Sequence, residues 1–329
     1  MTDFTDLIDL ASERLGAAVL WANDEFFAPK EALLKAAPAE WREGAYTERG
    51  KWMDGWETRR RREPGYDWCL VKLGAPGVVR GVVIDTAFFR GNYPHEAQVE
   101  GCAAAGVVDP VALDTDDTMT WVTLVPRSPL VGDAKNAFAV SHGGRITHLR
   151  LRIYPDGGVA RLRVHGDVRL DPAMPLAGRE IDVAAMENGG FVEVCSDMFF
   201  GHRQNLILPG RSTHMGDGWE TKRRRGPGHD WTIVRLGARA TLRRIELDTD
   251  HYKGNAPGSV RLEWCDDAGA TLEQLLASSA WKELVPSSKV QPHERHQWSA
   301  PAGVTATHVR LSIYPDGGVA RLRLLGTAT

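Results

Sequence analysis

The feature that most constrains this chain is an internal duplication that accounts for nearly all of it. Residues 54–68, DGWETRRRREPGYDW, match residues 217–231, DGWETKRRRGPGHDW, at twelve of fifteen positions. The run IYPDGGVARLR stands intact at 153–163 and again at 313–323. Units about 160 residues apart are whole domains, because solenoid repeats span only roughly 20–50 residues. The sequence therefore predicts two tandem copies of one domain.

The repeats also indicate where the domains begin and end. We expect the first copy, with an N-terminal extension, at 1–168, a linker at 169–186 and the second copy at 187–329. Within the linker, Pro172 and Pro175 disfavour a continuous helix. Ahead of the DGWET motif the first copy has ten residues more than the second, and these extra residues lie near PKEALLKAAPAEW.

Hydrophobic periodicity indicates strands throughout both copies. Apolar and polar residues alternate along 160–165, 244–249 and 308–313, as in strands with one buried face. Clusters of Gly, Pro and Asn separate such runs, as antiparallel connections require. A helix is predicted at about 30–36, where Pro29 suits the start of a first turn. We therefore predict an all-β fold of two tandem antiparallel β-sandwiches.

Bulk properties exclude several classes of partner. The formal net charge of −3 creates no global field towards nucleic acid or anionic membranes. No apolar stretch approaches the roughly 20 residues of a membrane span. Asp3, Asp6 and Asp9 stand where a signal peptide carries cations, and the four cysteines form no Cys-x-x-Cys pair. We expect a cytoplasmic protein with reduced thiols and no nucleic-acid or membrane partner.

The DGWET-basic block is the first candidate for chemistry. Trp56 offers a flat apolar surface, Glu57 can serve as a general acid or base, and the guanidinium groups of 59–62 match a carboxylate. If this run is extended, alternate arginines face opposite ways, so about two enter one pocket while the others pair with acids such as Glu63 or Asp67. A solvated, charged edge strand explains the same residues, and both interpretations stay open.

A second candidate is the loop DTAFFRGNYP at 85–94, matched by DTDHYKGNAP at 248–257. Loops at the ends of sandwiches commonly carry binding groups, although Asp and Asn also serve turn backbone. His251 has no counterpart in the first copy, where Phe88 stands, so the second copy gains a potential proton carrier. The YPDGG turn is better explained by structure, because Pro-Asp-Gly-Gly is a strong turn signal.

Metal and cofactor motifs are absent from the sequence. The eleven histidines are dispersed, and no zinc, EF-hand, Walker, dinucleotide or Gly-x-Ser-x-Gly pattern occurs. We predict no cofactor and no metal-ligand set. A divalent metal held by scattered acids and carbonyls stays open.

The paired motifs resemble those of the allantoicase family. They are DGWET followed by basic residues, PG-x-DW, D-T-x-x-[FY]-[RK]-GN-x-P and IYPDGGVARLR, each present twice. The N-terminal LASERLGAAVLWANDEFFAPKEALL is similar to that family's opening segment, and the likeness covers about 10–326. A more distant resemblance joins each copy to galactose-binding-like jelly rolls of the discoidin kind.

The resemblance implies two jelly-roll domains in a cytoplasmic homo-oligomer that hydrolyses allantoate to ureidoglycolate and urea. Allantoate carries a carboxylate and two ureido groups, which call for a guanidinium clamp, a proton carrier and amide partners. The hypothesis assigns proton transfer to Glu57, Glu220 or His251. Its substrate-binding residues are the carboxylate clamp Arg60, Arg62, Arg223 and Arg225, the ureido partners Asp54, Asp85, Asn92, Asp217, Asp248 and Asn255, and the apolar walls Trp56 and Trp219.

Two other functions remain possible at this stage. Tandem jelly rolls also occur as non-catalytic binding modules, and fold alone never determines function. A hydrolase acting on ureidoglycolate fits the same residue types. The sequence leaves open which copy, or their interface, holds the active site.

Overall fold

The computed structural model describes residues 3–329 except 105, 107, 108, 111, 112, 114–118, 172, 174, 175 and 278. The chain divides into two units, 1–170 and 171–329. Pro172 and Pro175 of the predicted linker lie outside the described residues. The end of that linker is not free chain, because Glu180–Asp182 pairs with the last strand of the second unit.

The first unit is built from antiparallel strands. They are β1 Ile8–Asp9, β2 Ala18–Ala22, β3 Tyr46–Thr47, β4 Gly50–Lys51, β5 Trp56–Glu57, β6 Asp67–Asp85, β7 Glu96–Cys102, β8 Val122–Pro129, β9 Lys135–Ala139, β10 Arg145–Tyr154, β11 Gly158–Val159 and β12 Arg161–Val168. The main sheet runs β1-β12-β6-β10-β7-β8, with β2 and β9 also paired to β6. The first part of the long strand β6 pairs with β2 and the last part pairs with β9, so this strand joins the two halves of the sandwich.

The second unit repeats this arrangement. Its strands are β13 Glu180–Asp182, β14 Phe191–Cys195, β15 Trp219–Glu220, β16 Asp230–Asp248, β17 Ser259–Cys265, β18 Lys282–Lys289, β19 Arg295–Ser299, β20 Thr305–Tyr314, β21 Gly318–Val319 and β22 Arg321–Ala328. The main sheet runs β13-β22-β16-β20-β17-β18, with β14 and β19 paired to β16. The prediction of two tandem antiparallel β-sandwiches is confirmed.

The apolar residues of the alternating runs lie in the core, as the sequence predicted. On β20, Val309, Leu311 and Ile313 are fully buried, and on β16 the same holds for Ile245 and Leu247. Burying these aliphatic side chains stabilises each sandwich by about 1.5–3 kcal/mol per residue. All four cysteines are free thiols. No helix in the described part of the chain is long and apolar enough to cross a membrane.

Helices are short. The 3-10 helices are Phe4–Asp6, Glu13–Leu15, Lys30–Leu34, Met186–Asn188, Arg203–Ile207 and Met215–Asp217, and an α-helix, α1, spans Leu272–Ala277. The helix predicted at 30–36 is therefore shorter and of the 3-10 type. It begins after Pro29 and ends because Lys35 adopts extended ψ, where its ammonium group binds Asp54 at 2.8 Å.

Candidate active site

The short strand β5 presents Glu57 at the surface of the first unit. It pairs on one side with β11, Glu57 opposite Gly158, and on the other with Ala28. Successive side chains of a strand point to opposite faces. Trp56 therefore enters the core, while the carboxylate of Glu57 stays partly exposed.

The YPDGG turn brings the loop containing Asn92 against β5. The Gly158 amide donates a hydrogen bond to the Asn92 carbonyl oxygen at 2.7 Å. A Cβ atom on Gly157 would lie 2.7 Å from that same oxygen, and one on Gly158 would lie 1.9 Å from the Phe89 ring. Only glycine permits this close approach. The turn thus sets the distance between the two candidate motifs.

Glu57 and Asn92 form a direct pair. The Asn92 Nδ2 group donates to Glu57 Oε1 at 2.7 Å. Burial raises the pKa of Glu57 above its ordinary value, and the Asn92 hydrogen bond partly offsets that effect by favouring the ionised form. A carboxyl group with a raised pKa is suited to accepting and returning a proton near neutral pH.

Two cavities of the first unit meet at this pair. Their common border contains Phe27, Glu57, Gly91 and Asn92. One cavity, of about 680 Å³, also has Trp41, Glu43, Lys51, Met53, Phe88 and Arg90 in its wall. The other, of about 860 Å³, also has Phe26, Thr58, Arg59, Arg60, Arg61, Arg62, Tyr93, His95, Pro155, Asp156 and Gly157. The carboxylate thus has an aromatic side and a cationic side.

The four arginines of 59–62 fall into two groups, two in ion pairs and two exposed on the cavity wall. Arg59 binds Asp24 at 2.6 Å and Arg61 binds Asp67 at 2.8 Å. Arg60 and Arg62 are exposed on the cavity wall and make no ion pair with the part of the chain that the structure describes. The segment is not a strand. Its Arg61 amide donates a hydrogen bond to the Asp156 carboxylate at 2.8 Å, and this bond holds the run in place.

The wall residues that were not predicted from the sequence include Trp41, Lys51, Phe88 and Arg90. The Lys51 ammonium group lies 4.2 Å from the centre of the Trp41 ring, and Trp41 packs against Phe88 at 5.8 Å between ring centres. Trp41 and Lys51 belong to the segment that makes the first copy ten residues longer, which also forms the β3–β4 hairpin. The length difference was the available signal.

The structure corrects the roles assigned to Asp54 and Trp56. The Asp54 carboxylate is buried and binds Arg161 at 2.6 Å and Lys35 at 2.8 Å, so it is occupied by internal partners. Burial alone would raise the pKa of Asp54, but these two cations hold it below its ordinary value. The Trp56 ring is 0% exposed, with its indole N–H donating to the Asp24 carbonyl, and it cannot form a wall for a ligand.

The same correction applies to Asp217 and Trp219 in the second unit. Asp217 binds the buried Arg321 guanidinium at 3.1 Å. Trp219 is 0% exposed, and its indole N–H donates to the carbonyl of Asp197. These positions are structural in both copies.

Asp85 and Asp248 make turn contacts with their own loops. Each ends a long strand, and its carboxylate accepts the amide hydrogen of the residue two positions on, Ala87 or Asp250. These contacts are the alternative named from the sequence, in which an aspartate hydrogen-bonds the backbone of its own turn. Neither aspartate is brought to the Glu57–Asn92 pair or its equivalent by a contact among the described residues.

His251 is held by other groups. Its ring Nε2 lies 3.0 Å from the Ser212 carbonyl oxygen, and its backbone amide donates to His293 Nδ1 at 2.8 Å. It adopts positive φ, as does Phe88 at the same place in the first copy. The structure does not join His251 to Glu220.

The second unit keeps the pair but differs around it. Asn255 Nδ2 donates to Glu220 Oε1 at 2.6 Å, and burial raises the pKa of Glu220. The sulfur of Met215 lies 3.4 Å from the same Asn255 nitrogen. Arg223 and Arg225 are exposed beside Arg224, which is bound to Asp230. No hairpin like β3–β4 occurs among the described residues of this unit.

The described residues were also compared with the ligand sets that bind metal ions. Among residues that the structure describes, no group of three or more His, Cys, Asp or Glu side chains is arranged to hold a metal ion.

Comparisons with known proteins agree with the duplicated architecture. A family model described as the allantoicase repeat matches residues 8–169 and 181–329. The probable allantoicase of Streptomyces coelicolor is 49% identical over 99% of this chain and 87% of its own length. The probable allantoicase 1 of Burkholderia mallei is 46% identical over 97% of this chain and 94% of its own.

The structural likeness extends as far. The crystal structure of allantoicase from Saccharomyces cerevisiae superimposes with a TM-score of 0.81 at 36% identity, and the match covers 97% of this chain and 92% of that one. The family model thus matches both repeats, and the relatives match nearly the full length of the chain. The chain belongs to the allantoicase family.

Proposed function

We propose that this chain hydrolyses allantoate to ureidoglycolate and urea at a site in its first unit. Membership of the allantoicase family supports the reaction. The observation that supports the place is the Glu57–Asn92 pair. It borders one cavity with two arginines that make no ion pair among the described residues, and another cavity with an aromatic wall. The other functions considered from the sequence have no observation in their favour.

Arg60 and Arg62 bind the carboxylate of allantoate in this proposal. Guanidinium groups pair with carboxylates through two parallel hydrogen bonds, which orient the substrate as well as bind it. These two side chains are exposed and make no ion pair among the described residues, whereas their neighbours Arg59 and Arg61 are bound to aspartates. The opposite cavity, with Lys51 and Arg90, receives a ureido arm and supplies donors to its carbonyl oxygen.

Glu57 is the proton carrier in this proposal. As the carboxylate it takes a proton from water, whose oxygen forms a bond to the substrate carbon that bears both ureido groups. The bond from that carbon to one ureido nitrogen breaks, and Glu57 returns the proton to this nitrogen so that urea departs. General acid–base catalysis of this kind contributes about 10²–10⁴ in rate. No cofactor is assigned, because side chains of the first unit fill each role.

Two differences support placing turnover in the first unit. The second unit lacks the longer segment that carries Trp41 and Lys51, and Met215 contacts Asn255 beside Glu220. A thioether at the pair supplies neither a strong donor nor an acceptor to a ureido group. Glu220, Asn255, Arg223 and Arg225 are therefore proposed as the relic of a duplicated site.

Assembly and location are further parts of the proposal. Resemblance to the family supports a cytoplasmic homo-oligomer that acts on a small molecule and has no nucleic-acid or membrane partner. Light scattering during gel filtration tests the assembly, with a mass above one chain expected and a monomeric mass contradicting it.

Urea release tests the reaction. Pure protein is incubated separately with allantoate and with ureidoglycolate, and urea is followed in time. We expect urea from allantoate. Release from ureidoglycolate alone would identify the other hydrolase, and binding of allantoate without release from either compound would identify a binding module.

A further inference from the structure

A separate cavity lies in the second unit, and its wall contains neither Glu220 nor Asn255. We call it the β16–β22 cavity, and its volume is about 370 Å³. Its wall contains Asp182, Glu187, Gly210, Arg211, Arg244, Glu246, Asp248, Arg295, Arg321, Arg323 and Leu325. Five arginines and four acids thus share one small concave surface.

The corresponding face of the first unit is closed by its own chain. There Gly81 occupies the position of Arg244, and the Phe4 ring lies where a side chain at Gly81 would stand, within 2.2 Å of an ideal Cβ. Val83 stands where the second unit has Glu246. Apolar residues beneath an aromatic ring explain the closed face, and charged residues at the same positions leave the β16–β22 cavity open and polar.

Two buried polar atoms at the cavity lack hydrogen-bond partners among the described residues. They are Arg323 Nη1, which lies 3.5 Å from Asp182 Oδ2 without forming a hydrogen bond, and Glu187 Oε2. The other nitrogen of that guanidinium, Nη2, donates to the carbonyls of Leu208 at 2.6 Å and Gly210 at 2.7 Å, which fixes its orientation. An unmatched donor and an unmatched acceptor are costly to bury unless water or a ligand satisfies them.

This combination is particular to the second unit. Arg163, the counterpart of Arg323, also has an unmatched Nη1 atom, but Arg14 stands at the position of Glu187. The first unit therefore has cations at both positions, whereas the second has one donor and one acceptor. The unmatched oxygen of Glu187 is therefore not a feature that both units share through their common fold.

The cavity also holds a weakly engaged cation. Arg295 Nε lies 3.8 Å from Asp248 Oδ2, which is too long for a hydrogen bond, and the Arg295 side chain is 42% exposed. Arg244, by comparison, is 3.2 Å from Glu246 on the same strand. Arg295 is thus the cation best placed to accept an incoming carboxylate.

We propose that the β16–β22 cavity binds a small carboxylate that also carries a ureido or amide group. Arg323 Nη1 donates a hydrogen bond to the carbonyl oxygen of the ligand's ureido or amide group. The N–H of that same ligand group donates to Glu187 Oε2, and Arg295 pairs with the ligand's carboxylate. Each unmatched atom thereby receives the partner it lacks. This site is independent of the Glu57 site and of the reaction proposed for it.

Calorimetric titration with N-carbamoylglycine tests the proposal, because this probe has one carboxylate and one ureido group. The full chain carries Arg60→Gln and Arg62→Gln, so that first-unit binding does not contribute. We expect saturable binding of one probe per chain, at least tenfold tighter than that of acetate. Absence of saturable binding, or equal binding of acetate, would overturn the proposal.

Two single changes locate the bound probe. Glu187→Ala and Arg295→Gln are each added to that background, and each is expected to weaken binding at least tenfold. The matched first-unit changes Arg14→Ala and Lys135→Gln are expected to leave it unchanged, since Lys135 faces Asp85 as Arg295 faces Asp248. Binding unaffected by both second-unit changes would place the probe elsewhere and refute the site. Glu187→Ala and Arg295→Gln are also made singly in the otherwise unchanged chain, and urea release from allantoate is measured. This second measurement reports on the proposed function separately from binding at the β16–β22 cavity.

Discussion

Replacing Asn92 by alanine tests how the first unit tunes its glutamate. The Asn92 amide donates to Glu57 Oε1 at 2.7 Å and favours the ionised carboxylate, whereas burial favours the neutral acid. Removing the amide leaves burial unopposed, so the pKa of Glu57 rises further. If Glu57 must be ionised to take a proton from water, the acidic limb of the kcat/KM profile moves to higher pH.

The size of that shift follows from the hydrogen bond. Bonds to a charged group contribute about 1.5–3 kcal/mol, and the lower figure applies because Asn92 is exposed and water partly replaces it. Because about 1.4 kcal/mol is a factor of ten, kcat/KM on the acidic side of the limb falls about tenfold.

Initial rates of urea release from allantoate across a pH series measure the limb. Asn255→Ala is the matched control, because it removes the same bond from Glu220 at 2.6 Å. We expect no shift in that variant. An acidic limb that stays in place for Asn92→Ala, or moves as far for Asn255→Ala, would show that Asn92 does not tune the catalytic carboxyl group.

Three further predictions separate structural from catalytic residues. Asp217→Asn leaves the buried Arg321 without its charge partner and lowers the free energy of unfolding by about 3 kcal/mol in urea titrations, with KM unchanged; full stability would contradict the buried ion pair. Arg60→Gln or Arg62→Gln raises KM for allantoate about tenfold, the effect of losing about 1.4 kcal/mol from a charged hydrogen bond, and an unchanged KM in both would remove the carboxylate clamp. His251→Phe keeps kcat within about twofold, because its ring contacts Ser212 and not the glutamate; a large loss would restore it as a proton carrier.

The fold was predictable because its determinants are local. Alternation along 160–165, 244–249 and 308–313 corresponds to β12, β16 and β20, where one side of each strand must be buried. The end of the helix predicted at 30–36 was harder to predict, since Lys35, which follows the helix, binds Asp54, nineteen residues away.

The site was predictable in part. Glu57 and Asn92 stand in motifs present in both copies, and the structure joins them as a pair. The role of Asp54 could not be read from residue type, because its partner Arg161 lies 107 residues further along the chain. Trp56 was misassigned for a similar reason: a two-residue strand gives too short a pattern to show which side chain enters the core.

In the proposed function, turnover depends on Glu57 in the first unit and not on its counterpart Glu220. The most direct measurement compares kcat for urea release from allantoate in Glu57→Gln and Glu220→Gln, with circular dichroism showing that both are folded. We predict a loss of at least about 100-fold in the first variant and less than about twofold in the second. Near-normal turnover by Glu57→Gln, or an equal loss in Glu220→Gln, would contradict the account.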